Sequence, residues 1–240
     1  MFGSRSMRRA ALGAVAATMA ASGIVAATAP AANAVTCRAY TFIGVRGTAD
    51  GTQASMGTRL PTALSAFRAK KGTANVTSDY VSYPASFNYL ASMSSGRTAL
   101  KSKINSYVSG CPTTKIALFG YSQGAHIVGD VVVGMSSTQR ARLQGIGLIG
   151  DPMFNPALRG KVSKNPSTRG GVWGKRASWP TGVFVYNVCN TGDLICANDG
   201  TNAVTSAGVA PHQQYTTATY SPLAGTSGAY AIGSHVATRS

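Results

Sequence analysis

The segment Gly120-Tyr121-Ser122-Gln123-Gly124 places a serine between two glycines, directly after an apolar run from Lys115 to Phe119. A strand that ends in G-x-S-x-G and opens into a helix holds its serine in a tight, strained turn. There the hydroxyl is exposed, and the glycines avoid side-chain clashes. The residues that follow, 125–133, are suited to that helix. The pattern predicts a nucleophilic serine at Ser122, and the alternative is a strand-to-helix turn with an inert serine.

A serine hydroxyl becomes a good nucleophile only when a base takes its proton and an acid orients that base. The chain has three histidines. His126 lies one helical turn after Ser122, where it cannot swing over the hydroxyl, and its spacing to Asp130 predicts a pair on one helix face. His212 follows the last predicted strand and a long loop, where the chain order serine, acid, histidine places the base. We therefore favour His212 over His235, which lies in a glycine-rich tail.

Two aspartates compete for the role of orienting acid. Asp151 follows a predicted strand that ends at Gly150, and Asp193 follows one that ends at Cys189. Asp193 lies between Cys189 and Cys196, and a loop closed by a disulfide holds a carboxylate in a fixed direction. We predict that Asp193 is the acid and interpret Asp151 as a turn-capping residue.

An oxyanion hole is expected from two backbone N–H groups. One belongs to Gln123 and the other to Thr48, in the loop after the first predicted strand. Loss of one such donor typically costs about a hundred- to a thousand-fold in rate.

The amino terminus has the pattern of a secretory signal peptide. Arg5, Arg8 and Arg9 precede an alanine-rich apolar run that ends at Ala32-Asn33-Ala34. We predict a signal peptide over residues 1–34 and one secreted domain over 35–240. The alternative, an uncleaved anchor helix, is disfavoured because alanine and glycine make the run weakly hydrophobic. We expect no other membrane span.

Four cysteines in an exported chain predict two disulfides. Metal binding is disfavoured because only Cys189 and Cys196 are near each other, and no histidine lies close to them in the chain. Three pairings are possible. We favour Cys189 with Cys196, which closes a short loop, and Cys37 with Cys111, which ties the opening strand to the strand before Ser122. We expect no metal and no other cofactor.

The chain is strongly basic, with 22 Lys and Arg against six acidic residues, all of them aspartates. Removing residues 1–34 removes three arginines, so 19 Lys and Arg remain against six aspartates and the net charge is +13. Such charge favours anionic surfaces, acidic polysaccharides or nucleic acid without specifying one. We find no nucleic-acid recognition motif and expect a soluble monomer.

The stretch 152–181 carries cations and no acid. We expect a solvated loop there, with a docking patch for an anionic polymer as the alternative. Its cations are Arg159, Lys161, Lys164, Arg169, Lys175 and Arg176.

Strand-like and helix-like segments alternate along the chain. Strands are predicted over 38–45, 75–83, 115–119, 146–150 and 181–188, helices over 60–71, 96–107, 125–133 and 137–143, a loop over 189–211, and a helix in the tail 220–240. This alternation predicts an α/β fold, a three-layer α/β/α sandwich with a mostly parallel central sheet. Reactive groups then gather at the carboxyl ends of the strands.

Several separated segments resemble the cutinases, which are small secreted serine esterases of the α/β-hydrolase fold. The matching segments are Gly120 to Gly124, Cys189-Asn190-Thr191-Gly192-Asp193-Leu194-Ile195-Cys196, the H-x-x-Y segment His212-Gln213-Gln214-Tyr215, and Arg46-Gly47-Thr48, which is similar to the family's oxyanion loop. In the family a serine or threonine hydroxyl at the position of Thr48 also assists the backbone donor. Cys37 lies eleven residues before Thr48 and Cys111 eleven before Ser122, as in the family, which supports the favoured pairing.

The resemblance implies hydrolysis of carboxylic esters through an acyl-enzyme, with cutin or suberin polyesters and short to medium acyl esters as substrates. No long insertion in the sequence resembles a lid, so we expect an open site with a rim formed by Phe87, Tyr89, Leu90, Val204, Val209 and Pro211. Alternative activities are acetylxylan (polysaccharide acetyl) esterase and phospholipase. A basic, non-catalytic protein that binds cell walls is a further alternative from another functional class.

Overall fold

Five strands and six α-helices lie in the part of the chain that the computed structural model describes, which is residues 35–158, 168–200, 203–223 and 225–239. The predicted signal peptide lies outside these residues. The strands are β1 (Tyr40–Val45), β2 (Val76–Tyr80), β3 (Lys115–Tyr121), β4 (Leu143–Ile149) and β5 (Val185–Val188). The helices are α1 (Leu60–Lys71), α2 (Tyr89–Gly110), α3 (Gln123–Val133), α4 (Ser137–Ala141), α5 (Ser206–Gln213) and α6 (Gly228–Thr238).

The strands form one parallel sheet in the order β2-β1-β3-β4-β5. Val45 lies beside Gly120, and Tyr121 lies beside Ile149. The loops after β1, β3 and β4 therefore leave the sheet at the same edge, which brings Thr48, Ser122 and Asp151 to one side, as the alternation of elements predicts.

Helices cover both faces of the sheet, so the predicted three layers are present. On one face, α2 and α3 pack over the sheet through apolar side chains such as Leu100, Ile104 and Ile127. On the other face, α1 and α6 pack through residues that include Phe67 and Ile232. Every residue of β4 is buried, as expected for a central strand covered on both faces.

Two glycines allow helices to approach closely. A Cβ at Gly96 in α2 would lie 2.4 Å from Ile127 Cδ1 of α3. A Cβ at Gly233 in α6 would lie 2.2 Å from the Ala63 carbonyl oxygen of α1. The glycine-rich tail therefore forms a helix that packs tightly, because its small residues let two backbones come together.

Several predicted boundaries were wrong, including that of β4, which begins at Leu143 rather than residue 146 because α4 already ends at Ala141. Helix α2 begins at Tyr89 rather than residue 96, and β5 begins at Val185 rather than 181. The predicted loop 189–211 contains most of α5, which begins at Ser206 after a Thr205 cap whose side chain accepts a hydrogen bond from Gly208 N. Pro211 lies inside this helix and disfavours a helical interpretation of the sequence alone.

Both favoured disulfides are present in the structure. Cys37 is joined to Cys111 and Cys189 to Cys196, with Cα–Cα distances of 5.4 and 5.8 Å, within the usual range. The first joins the segment before β1 to the end of α2, and the second closes a short loop after β5.

Candidate active site

Ser122 lies in the strained turn that the G-x-S-x-G pattern predicts. It separates the last residue of β3 from the first residue of α3, and its backbone has φ 53° and ψ −121°. A non-glycine residue rarely adopts positive φ, and such strain is typical of functional sites. A Cβ at Gly124 would lie 2.0 Å from the Val45 carbonyl oxygen, and one at Gly120 would lie 2.5 Å from the Gly124 carbonyl oxygen. Both glycines are therefore required sterically.

A chain of hydrogen bonds connects Ser122, His212 and Asp193. His212 Nε2 lies 2.8 Å from Ser122 Oγ, and His212 Nδ1 lies 2.8 Å from Asp193 Oδ2. Asp193 is fully buried and His212 is 6 % exposed. Both distances allow a proton to move from the hydroxyl to the imidazole while the carboxylate orients the ring.

The Asp193 carboxylate is held by two further donors. Its Oδ1 accepts a hydrogen bond of 2.8 Å from Ile195 N, and its Oδ2 accepts one of 2.6 Å from Tyr215 Oη. The Tyr215 hydroxyl in turn accepts a hydrogen bond from Asn190 N at 2.9 Å. Burial raises the pKa of Tyr215 well above its usual value, and the Asp193 charge raises it further, so this phenol stays protonated and donates.

Helix α5 positions the imidazole. His212 is the seventh residue of this helix, and its carbonyl oxygen accepts a hydrogen bond of 2.9 Å from Tyr121 Oη. The Tyr121 ring also stacks on the imidazole, with centroids 5.1 Å apart. Gly150, at φ 60°, passes close to the same ring, because a Cβ there would lie 2.8 Å from His212 Cε1. The ring is therefore enclosed by β3, by the end of β4 and by its own helix.

The two expected oxyanion donors lie in the same region. Gln123 is the first residue of α3 and directly follows Ser122, so its N–H belongs to the positive end of a helix. Its buried side chain is fixed by hydrogen bonds to Ser92 Oγ at 2.9 Å and to the Ser86 carbonyl at 3.2 Å. Thr48 lines the cleft that contains Ser122.

A cleft of about 520 Å³ opens beside Ser122 and His212. Of the expected rim residues, Phe87, Tyr89, Val204 and Val209 line it. Leu90 does not, because it is the next residue along α2 after Tyr89 and successive helical side chains point about 100° apart. It is 69 % exposed. Pro211 is buried inside α5 and also lies outside the cleft.

Sequence reasoning missed an aromatic pair in the cleft wall. Trp173 stacks on Tyr89 with ring centroids 5.2 Å apart and planes 13° apart, and both line the cleft. The Tyr89 hydroxyl lies 3.0 Å from His126 Nδ1. No pattern links these residues in the sequence, since they come from three different segments.

His126 lies beside Asp130 on the same face of α3, as its spacing predicts, with Nε2 3.7 Å from Asp130 Oδ2. This contact alone would raise the pKa of His126. Burial has the larger effect and lowers the pKa below its usual value, so the folded protein favours the neutral ring. The His126 backbone N–H donates to the Ser122 carbonyl oxygen at 3.1 Å, but its imidazole makes no hydrogen bond to Ser122 among the described residues.

The stretch 152–181 was expected to be solvated, and at Arg176 this was wrong. Arg176 is 6 % exposed, because its guanidinium is drawn towards two aspartates. Its Nη1 lies 3.0 Å from Asp130 Oδ1, and its Nη2 lies 3.7 Å from Asp151 Oδ1. Asp151 also caps its turn as predicted, accepting a hydrogen bond from Met153 N at 2.9 Å.

Lys175 in the same stretch is also paired. Lys175 Nζ lies 3.0 Å from Asp199 Oδ1. Arg159, Lys161 and Lys164 lie outside the described residues. No helix within the described ranges is long and apolar enough to cross a bilayer.

Comparison with known proteins places these features in a family. A family model, Cutinase, matches residues 36–224. Acetylxylan esterase 2 of Talaromyces purpureogenus is 32 % identical over 156 residues, which cover 55 % of this chain and 65 % of the relative. Cutinase CUT2 of Pyricularia oryzae is 30 % identical over 215 residues, which cover 85 % and 90 % of the two chains.

The fold has solved relatives as well. A crystallised acetylxylan esterase superposes with a TM-score of 0.63 at 27 % identity, and the match covers 75 % of this chain and 92 % of that one. The family match extends over all five strands and over the serine, aspartate and histidine that the structure brings together. The chain therefore belongs to the cutinase family of ester hydrolases.

Proposed function

We propose that this protein hydrolyses carboxylic esters through an acyl-enzyme formed on Ser122. The observation that carries the proposal is the pair of 2.8 Å hydrogen bonds that link Ser122 to His212 and His212 to Asp193. Ser122 Oγ attacks the ester carbonyl while His212 Nε2 takes the hydroxyl proton. The tetrahedral intermediate then collapses, the carbon–oxygen bond to the alcohol breaks, and His212 returns the proton to the leaving alkoxide.

Water completes the cycle by the reverse sequence. His212 takes a proton from water, which attacks the acyl carbonyl, and the acid product leaves as Ser122 regains its proton. Asp193 keeps the imidazole in the correct tautomer and stabilises the imidazolium that forms in each half-reaction. Its buried position and its two further donors support this role.

The negative oxygen of each tetrahedral intermediate is stabilised by the backbone N–H groups of Gln123 and Thr48. The position of Gln123 at the start of α3 supports this assignment, because the helix terminus favours a negative charge. The two bonds that immobilise its side chain keep the donor in place before substrate arrives.

The preferred substrates are polyesters such as cutin or suberin and esters of short to medium acyl chains. The cleft wall supports this proposal, because most of its side chains beyond the reacting groups are apolar: Phe87, Pro152, Val172, Trp173, Ile195, Val204 and Val209. Phe87 is 86 % exposed, which suits contact with a large polymer surface.

Acetyl esterase activity on polysaccharides is the second candidate. It is favoured by the similarity to acetylxylan esterase 2 of Talaromyces purpureogenus and by the stacked Tyr89 and Trp173 rings, which offer a flat surface beside Ser122. Phospholipid hydrolysis is a weaker candidate. A non-catalytic role in wall binding is disfavoured, because it would not require Ser122, His212 and Asp193 to be joined by hydrogen bonds.

The deciding experiment compares nitrophenyl esters from acetate to palmitate, with the Ser122→Ala variant as the blank. A maximum of kcat/KM at butyrate or a longer chain supports an apolar acyl groove and the polyester activity. Activity confined to acetate excludes that groove and assigns the acetyl esterase. Equal rates for the native protein and the Ser122→Ala variant contradict catalysis by this site.

We also propose that the protein is exported and acts as a monomer. The pattern of residues 1–34 and the two disulfides support export, because disulfides persist in oxidising compartments. The excess of positive charge supports a monomer through mutual repulsion of copies.

A further inference from the structure

The edge of the sheet opposite the cleft carries positive charge that ester hydrolysis does not use. Lys115 begins β3, and Ser122 follows the end of the same strand. The strand has seven residues, so about 20 Å separate these two edges of the sheet.

A pocket of about 250 Å³ lies at this edge and is lined by Lys115, Arg140 and Arg239, together with Ala141, Leu143, Gln144 and Gly182. A backbone carbonyl oxygen holds each cationic group. Lys115 Nζ donates to Ala141 O at 3.1 Å, Arg140 Nη1 to Met135 O, and Arg239 Nη1 to Gln144 O at 3.5 Å. These bonds fix three cations around one space before a ligand arrives, which reduces the entropic cost of binding.

No carboxylate among the described residues balances this charge. All six aspartates are paired with other side chains: Asp50 with Arg59, Asp79 with Lys103, Asp130 with Arg97 and Arg176, Asp151 with Arg176, Asp193 with His212, and Asp199 with Lys175. The basic stretch 152–181 is therefore partly neutralised by Asp130, Asp151 and Asp199. Among the described residues no carboxylate neutralises the pocket at the sheet edge, so its three cations attract an anion.

The shape and chemistry of the pocket select among anionic partners. Phe184 lies beside Arg239, whose guanidinium is 3.3 Å above the ring and so occupies one of its two faces, which leaves less of the ring for a nucleic-acid base to stack on. Leu143 is buried, so the lining has no large apolar side chain to insert into a bilayer. A small polar pocket with three fixed cations instead suits a sugar that carries a carboxylate.

We propose that Lys115, Arg140 and Arg239 bind the uronate carboxylates of an acidic polysaccharide and anchor the protein through the sheet edge opposite its cleft. Bound in this way, the protein keeps the cleft open to ester substrates. The anchoring does not depend on the chemistry proposed for Ser122.

The test measures the affinity of the purified protein for polygalacturonate at an ionic strength of about 0.15 M, where the Debye length is about 8 Å. The variant Lys115→Gln/Arg140→Gln removes two positive charges from the pocket, and the control Lys70→Gln/Lys101→Gln removes two from exposed helix surfaces. Because charge-assisted hydrogen bonds to carboxylates are stronger than neutral ones and the variant loses two of the three cations, we expect its affinity to fall by about a hundredfold or more. The control keeps its affinity within about twofold, since surface charges are screened and replaceable. Both variants hydrolyse nitrophenyl butyrate at the native rate.

Equal losses in the two variants overturn the proposal, because they show an effect of net charge alone. Equal or tighter binding of duplex DNA overturns the choice of an acidic polysaccharide, and so does equal binding of fully methyl-esterified polygalacturonate. Circular dichroism and Tm establish that the variants are folded. If the double variant melts early, the single variants Lys115→Gln and Lys70→Gln, both at exposed side chains, provide the same comparison.

Discussion

Tyr215 Oη lies 2.6 Å from Asp193 Oδ2, the same carboxylate oxygen that His212 Nδ1 approaches to 2.8 Å. One oxygen of the fully buried Asp193 carboxylate therefore accepts two hydrogen bonds. The phenol restrains the carboxylate and takes part of its charge, while the N–H of Ile195 holds the other oxygen. The conformation of the acid is set by its whole surroundings and not by the histidine alone.

The Tyr215→Phe variant tests this restraint. It removes the hydroxyl and keeps the ring, so Asp193 Oδ2 interacts with His212 alone. We expect kcat for nitrophenyl butyrate to fall by about tenfold with little change in KM, since a hydrogen bond to a charged group is worth about 1.5 to 3 kcal/mol. A lower Tm with unchanged kcat and KM would show that Tyr215 only supports the fold.

Removing the Cys189–Cys196 disulfide should lower kcat strongly and the free energy of unfolding only modestly. Its short loop contains Asp193, so the Cys189→Ser/Cys196→Ser variant frees the orienting acid. The loop-entropy account gives about 2 to 3 kcal/mol for this seven-residue separation and about 4 to 5 kcal/mol for the 74-residue separation of Cys37 and Cys111.

The matched control is Cys37→Ser/Cys111→Ser, measured below its Tm. We expect the control to lose more stability and to keep more of its kcat than the variant at residues 189 and 196. Urea unfolding gives the stabilities, and nitrophenyl butyrate gives the rates. The reverse order of the two kcat values would exclude a role of the short loop in positioning Asp193.

His126 should make stability depend on pH. Burial holds its pKa in the folded state below the usual 6.5, although Asp130 and Asp151 oppose this effect and Arg176 and Arg97 add to it. The unfolded chain therefore binds more protons as pH falls through about 6.5, so the folded state loses stability on acidification.

The His126→Gln variant removes this titration. We expect the native protein to be more stable than the variant at pH 8 and this advantage to shrink between pH 6.5 and 5, by about 1.4 kcal/mol for each unit of pKa depression. Thermal unfolding across this range measures the effect. His235→Gln is the control, since His235 lies on α6 against Tyr186 and away from Asp130. A constant difference between native protein and His126→Gln at all pH values would contradict the buried neutral ring.

Trp173 should contribute to the choice of acyl chain. It is half exposed, it stacks on Tyr89 and it lines the cleft beside Ser122. The Trp173→Ala variant should lose about tenfold in kcat/KM for octanoate and little for acetate, because about 50 Å² of lost apolar contact costs roughly 1.3 kcal/mol. Tyr230→Ala, a similarly exposed aromatic on α6, is the control and should change neither. An equal loss for both esters would assign Trp173 to the support of the site and not to the acyl chain.

The grouping of Ser122, His212 and Asp193 could be predicted because each lies in a short local pattern at a recognisable place in an α/β fold. The structure brings all three into hydrogen-bond contact, while their catalytic roles stay a prediction. The parallel sheet could be predicted in the same way, because the alternation of strand-like and helix-like segments is visible in the local sequence. Gly120 and Gly124 helped to identify this turn in the sequence. Other backbone atoms lie so close to both positions that no residue with a Cβ fits there.

Other features depend on contacts between distant segments. Helix α5 was missed because Gly208 and Pro211 disfavour a helix, yet a Cβ at Gly208 would lie 2.3 Å from Leu194 Cγ, so packing requires the glycine. The burial of Arg176 depends on Asp130 and Asp151, which only the fold brings to it. The secondary-structure propensities of single residues do not include such tertiary contacts.

The most direct test of the account is mass spectrometry of the protein after reaction with a fluorophosphonate, with nitrophenyl butyrate hydrolysis followed in parallel. We predict one adduct, located on Ser122, together with complete loss of hydrolysis. The Ser122→Ala variant should take up no label and should lose about a million-fold in kcat, as other triads do. An adduct at another residue, or hydrolysis retained by the Ser122→Ala variant, would contradict the assignment of Ser122 as the nucleophile.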